Sequence, residues 1–96
     1  GSKEHAMGIY CLTFDRPLGR MDSHRLESMH RRFESIPLFR TTWLIESTDP
    51  IEFLRSRLSR AFGKQTRFFI TRLSEPWCTD GIGPVGKWLS DPQRQW

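Results

Sequence analysis

The run Ile9-Tyr10-Cys11-Leu12-Thr13-Phe14 breaks off at Asp15, and Arg16-Pro17-Leu18-Gly19-Arg20 then turns the chain toward a helix-like stretch. Six residues rich in β-branched and aromatic types, with no helical spacing and a Pro/Gly stop, predict a buried strand. A sheet that includes this strand is the first constraint on the fold. Asp15 stands at its C-terminal end, where loops diverge and α/β and α+β sheets commonly place ligands or metals. An aspartate there also suits the plainer role of starting a turn by bonding nearby backbone N–H groups, and both readings stand.

The remaining elements follow from spacing. Asp22-Ser23 offers helix caps, and Leu26, Met29, His30 and Phe33 recur at i, i+3, i+4 and i+7, predicting a helix over 23–34 that Ser35-Ile36-Pro37 ends. Residues 38–46 alternate Phe39, Thr41, Trp43, Ile45 against Leu38, Arg40, Thr42, Leu44, a strand pattern. It reads either as one long strand or, preferably, as two short ones joined near Arg40-Thr41-Thr42. Asp49-Pro50-Ile51-Glu52 predicts a helix start, with Asp49 as N-cap, Pro50 at the first helical position and Glu52 closing a capping box. Ile51, Leu54, Leu58 and Ala61/Phe62 form its apolar stripe, and Gly63 supplies the stop. A last strand is predicted over 66–73.

With the middle run split, the order is βαββαβ, which predicts an α+β ferredoxin-like sandwich: an antiparallel sheet with two helices on one face and strands 1 and 3 central. An unsplit run would instead give a three-stranded layer with a long exposed edge. Apolar residues on both sides of the strands, such as Phe68 with Phe69 and Leu44 with Ile45, call for cover on the outer face, and a homodimer stacked sheet to sheet would supply it. Residues 1–7 read as an expression-tag remnant, 8–74 as the core, and 75–96 as a dimer-stabilising C-terminal extension.

Charge and composition narrow the function. All but Lys3, Lys64 and Lys87 of the fifteen basic residues are arginine, and the net charge is +4. Arginine's planar fork pairs bidentately with phosphate, so nucleic acid is the expected partner, although a charge run is as often a solvated helix face. No apolar run approaches a membrane span and no signal peptide is visible, so a cytoplasmic location with no membrane partner is expected. Cys11 and Cys78 lack metal-ligand spacing and form no disulfide framework; Cys11 reads as a small buried hydrophobe. His24 and His30 lie six apart, too far round a helix to chelate one ion. Gly81-Ile82-Gly83-Pro84-Val85-Gly86-Lys87 has phosphate-loop spacing, but Trp88 stands where a hydroxyl belongs and Glu75 to Asp80 is no strand. It reads as a glycine-rich connection to an anchoring segment, Val85 to Leu89, with Trp77 and Trp88 pinning the tail and Trp96 frayed.

Strand 1 ending in Thr13-Phe14-Asp15, the block Thr42-Trp43-Leu44-Ile45-Glu46-Ser47, the helix with Ile51, Leu54, Arg55 and Leu58, and the run Arg67-Phe68-Phe69-Ile70-Thr71-Arg72-Leu73 resemble the small SinR-like proteins. These are similar to the CRISPR-associated small endoribonuclease (Cas-two) family and to VapD toxins. The resemblance runs from residue 8 to residue 90, including Lys87-Trp88-Leu89. It implies a ferredoxin-like homodimer whose C-terminal tail packs on the partner's sheet, with Asp15 meeting its symmetry mate near the dimer axis. By the same resemblance, Asp15 is the catalytic residue and the ligand of Mg²⁺ or another divalent metal, since hard cations take carboxylate oxygens and offset their repulsion. This chain departs from the nuclease pattern: Arg16-Pro17 follows the aspartate, and no second acid or hydroxyl run flanks it. Arg16 could clamp phosphate or neutralise Asp15.

The expected function is a nucleic-acid-associated homodimer, acting as a metal-dependent endonuclease on RNA or DNA with Arg16 and Arg40 near the phosphate. Two alternatives carry no catalysis. One is a nucleic-acid-binding dimer using Arg55, Arg57 and Arg60; the other is a protein-interaction module of toxin–antitoxin or phage-encoded inhibitor type.

Overall fold

The computed structural model describes residues 7–28, 34–94 and 96. Strand β1 (Gly8–Phe14) leads to helix α1 (Arg20–Ser28), strands β2 (Glu34–Phe39) and β3 (Thr42–Ser47), helix α2 (Ile51–Phe62), strand β4 (Phe68–Leu73) and helix α3 (Gly83–Leu89). The strands form one antiparallel sheet in the order β2-β3-β1-β4. The chain is thus a small α+β domain with a four-stranded antiparallel sheet and, among the described residues, three helices. None of these helices is long and apolar enough to cross a membrane.

β1 is buried along the whole of its helix-side face and, at the Ile9 end, on the other face as well, with Cys11 and Thr13 partly buried. Tyr10, Leu12 and Phe14 join Trp43 and Ile45 of β3, Leu26 of α1, and Leu54, Leu58 and Phe62 of α2 in the larger core. Phe14 packs on Phe62 with ring centroids 5.1 Å apart. Ile9 points the other way, with Leu44, and meets Val85 and Leu89 of α3; Cys11, Leu73, Trp77 and Trp88 flank this second cluster. Burial raises the Cys11 thiol above its ordinary value, in keeping with a small hydrophobe that takes no part in chemistry.

Several boundaries differ from the sequence reading. α1 begins at Arg20, because the Gly19 carbonyl accepts the first helical bond from Ser23 N–H at 2.9 Å. Asp22 then lies in the first turn, where its charge suits the helix dipole. Met29, His30 and Phe33 lie outside the described residues. Ser35, Ile36 and Pro37 belong to β2, not to a helix end. Pro37 is tolerated because β2 is an edge strand, and the register shifts between Pro37 and Phe39 as a bulge. The bend at Arg40-Thr41 is the β2–β3 turn, so the split strand is the arrangement adopted. α2 starts as the Asp-Pro signal predicts, but the N-cap is Pro50 without a side-chain bond, and no capping box forms. Ser47 Oγ accepts the Asp49 N–H at 3.0 Å instead. Gly63 ends the helix at φ 82°, a conformation that favours glycine.

The tail expected on a partner's sheet lies on the sheet of its own chain, where α3 provides the second layer. Gly86 and Lys87 sit inside α3 rather than in a loop opening a helix, so the phosphate-loop spacing is coincidental. Trp96 is not frayed: it packs against the second cluster, and its Nε1 donates to Leu89 O at 3.1 Å.

Arg94 locks this layer down. Its side chain is only 8% exposed, and its guanidinium lies 2.8 Å from Glu34 Oε1 and 3.4 Å from Glu46 Oε1, the latter contact without a hydrogen bond. It also stacks 3.7 Å from the Trp88 ring centroid and donates to Trp88 O at 2.9 Å. Glu34 and Glu46 face each other across β2 and β3, so one cation bridges a like-charged pair.

Burial raises the Glu46 carboxyl above its ordinary value; Arg94 opposes the shift, and Glu34 and Asp91 add to it. A carboxyl with a raised folded pKa holds its proton more tightly in the native state. Its contribution to stability is present below the ordinary carboxylate range and is lost as pH rises through the raised value. Glu46→Gln should therefore gain stability relative to the parent protein as pH climbs from about 4 to 7. Urea midpoints read at both ends measure this, and a flat or reversed difference would mean that the Arg94 pairing outweighs burial.

Candidate nucleic-acid interface

The candidate site is the end of the sheet where β1 stops. Phe14 N–H donates to Thr41 O at 2.7 Å, Leu18 N–H to Arg40 O at 3.2 Å, and Asp15 N–H to Arg67 O at 3.1 Å. These bonds tie the exit of β1 to the β2–β3 turn on one side and to the entry of β4 on the other. The side chains of Asp15, Arg16, Arg40 and Arg67 accordingly issue from one rim.

Asp15 accepts a hydrogen bond from Arg67 Nε at 3.1 Å, and Arg67 is 84% exposed. A pair this open contributes about 0–1 kcal/mol, so water or a phosphate can replace either partner with little loss. Arg16 does not neutralise Asp15. It donates through NH1 to Asp22 Oδ2 at 3.0 Å and through NH2 to Thr66 Oγ1 at 3.0 Å, which fixes its guanidinium beside the rim. Arg40 is exposed in the hairpin turn.

The arginines of α2 do not share one face. Arg55 lines an open cleft with Ser59, Thr66, Arg67 and Phe69, and so extends the rim. Arg57 lies about 200° further round the helix, stacked 5.4 Å from the Phe53 ring centroid. Arg60 is exposed, about 140° from Arg55. Of the candidate binding residues, the fold gathers Arg16, Arg40 and Arg55 and leaves Arg57 and Arg60 apart.

Arg67 is the rim residue that the sequence reading missed. It lies 52 positions from Asp15 and carries no local motif. Its signal was topological: in the predicted order strand 4 runs antiparallel beside strand 1, which brings the start of one to the end of the other.

The donor set of one chain does not fit a divalent metal. Hard cations of this kind want about six oxygen ligands. Among the described residues no three His, Cys, Asp or Glu side chains come together. Asp15 faces a guanidinium, and Asp22 is engaged by Arg16 and by Arg25 at 3.6 Å. What the rim offers is exposed guanidinium groups, with Asp15 paired to Arg67 and Asp22 to Arg16, in surface pairs weak enough for a phosphate to compete with the carboxylates. Comparison with family models, with curated proteins and with solved structures finds no match to this chain.

Proposed function

We propose that the protein is a nucleic-acid-binding domain of ferredoxin-like type, acting as a homodimer, which grips the phosphate backbone through Arg16, Arg40 and Arg67. The observation that carries this reading is the rim itself: three exposed guanidinium groups from three separate loops at one end of one sheet. Arg16 is pre-oriented by Asp22 and Thr66, so little side-chain entropy is lost when it meets phosphate. The resemblance to SinR-like and Cas-two proteins supports the same partner.

Affinity for a labelled oligonucleotide should fall steeply between about 50 and 200 mM salt, because phosphate contacts release counterions. The double variant Arg40→Gln/Arg67→Gln should bind more weakly and reduce the logarithmic salt slope by about 2. Arg57→Gln should change neither. Undetectable or salt-insensitive affinity would dispose of the proposal.

A second reading, the metal-dependent endonuclease, is favoured by the position of Asp15 at an open strand end that a second copy could reach. Two such carboxylates, one from each protomer, would be needed to hold Mg²⁺. Chelator-sensitive cleavage that disappears in Asp15→Asn, purified in parallel, would support it; cleavage indifferent to both would not.

A further inference from the structure

One row of side chains crosses the whole sheet just inside the arginine rim. The registers pair Phe39 with Thr42, Thr42 with Thr13, and Thr13 with Phe69, so the row reads Phe39-Thr42-Thr13-Phe69 over β2, β3, β1 and β4. Opposite residues of antiparallel strands share a face, and Thr13 Oγ1 lies 3.0 Å from Thr42 Oγ1. The face is the one that carries α3, since Cys11 and Ile9 alternate with Thr13 along β1 and pack in the α3 cluster. Strict alternation from Ile36 would turn Phe39 to the opposite face. The bulge after Pro37 pairs it with Thr42 instead, and from the sheet edge Phe39 lines the cavity with Cys11, Leu44 and Val85 while also bordering a cleft with Pro17, Leu18 and Trp43 on the other face. α3 covers only the Ile9 and Leu44 end of this face, and at the other end Phe39 and Phe69 remain 60% and 65% exposed.

We infer that this row is a stacking platform for single-stranded nucleic acid. Phe39 and Phe69 each take the face of one base, Thr13 and Thr42 present hydroxyls between them, and Arg40 and Arg67 hold the flanking phosphates. The inference rests on the nucleic-acid reading above and specifies its substrate. Three strand spacings put the two aromatic positions about 14 Å apart, a span that suits bases splayed on a surface. A duplex keeps its bases paired and stacked inside, so it can meet the rim but not the row. Charge favours the same occupant at this row over the second protomer, because a phosphate backbone complements Arg40 and Arg67, whereas a second copy seated here would set its own Arg40 and Arg67 against them; the homodimer of the proposed function is then formed through another surface. Stacking on phenylalanine tolerates any base, so little sequence preference is expected.

The test is fluorescence anisotropy of the full chain with a labelled single strand of about a dozen nucleotides and with the duplex of the same sequence. Phe39→Leu and Phe69→Leu keep the apolar bulk and remove the ring. Each should weaken single-strand binding about tenfold while leaving duplex affinity and the salt slope unchanged, and Phe69→Tyr should restore binding. Leu variants that bind the single strand normally, while Arg40→Gln/Arg67→Gln does not, would overturn the platform and leave the phosphate rim standing. Absence of binding to either oligonucleotide would overturn both. If the Leu variants instead convert a dimer to monomer by light scattering, with single-strand affinity intact, the row is a self-association surface and the platform is wrong.

Discussion

Leu12→Ala is expected to lower the unfolding free energy by about 3–5 kcal/mol, the upper part of the range for buried leucines. Leu12 is fully buried on a central strand, paired with Trp43 on one side and Ile70 on the other, with the α2 residues above it. A sheet hydrogen-bonded on both edges of β1 cannot close around the missing isobutyl group, so the cavity persists. For a domain of this size, whose total stability is about 5–15 kcal/mol, the loss is a large fraction of the whole. Each kcal/mol lowers the melting temperature by roughly 4–8 °C. Urea denaturation with Leu73→Ala as a half-buried control measures it. A loss below about 1 kcal/mol would mean that the strand is not the centre of the core.

Arg94→Ala is the second large effect, expected at about 3 kcal/mol because it strands a partly buried carboxylate. The substitution removes the cation held between Glu34 and Glu46 together with the stack on Trp88. The damage should be local, releasing the segment after Leu73 so that limited proteolysis cuts between β4 and α3 while the β1–α2 core stays intact. Arg94→Lys keeps the charge but loses the planar stack and the fork, and should fall between the two. Native protease resistance in Arg94→Ala would show that Val85 and Leu89 hold the layer by themselves.

Patterns confined to one segment were legible in the sequence. β1 announced itself because both its faces are apolar, and α2 because Pro50 and Gly63 bracket a clear stripe. The β2–β3 turn was only half readable: the alternation over 38–46 runs on without a break, so one long strand stood beside the preferred split near Arg40-Thr41-Thr42. Features made by distant contacts were not. The capping box at Asp49 failed because Ser47 Oγ takes the Asp49 N–H, while the Tyr10 hydroxyl donates to the Asp49 carbonyl at 3.3 Å. Pro37 looked like a helix terminator, and only its place on an edge makes it a strand residue. Arg94 gave no local hint, since its carboxylate partners lie on β2 and β3. Of the candidate site, Asp15, Arg16 and Arg40 were readable because each sits beside a strand end. Arg67 and the phenylalanine row needed the strand order and a one-residue bulge, neither of which composition reveals.

The first strand of the chain lies in the interior of the sheet, and its two partners come from residues 42–47 and 68–73. During synthesis the most apolar stretch of the protein therefore leaves the ribosome well before the strands that shield it. At about 5–20 residues per second, Leu73 follows Phe14 by roughly 3–12 s. For that interval one edge of a nascent hydrophobic ribbon is open to any extended segment nearby, which makes Ile9–Phe14 the natural recognition element for a holding chaperone and the first place where crowded, overproduced copies would cross-pair.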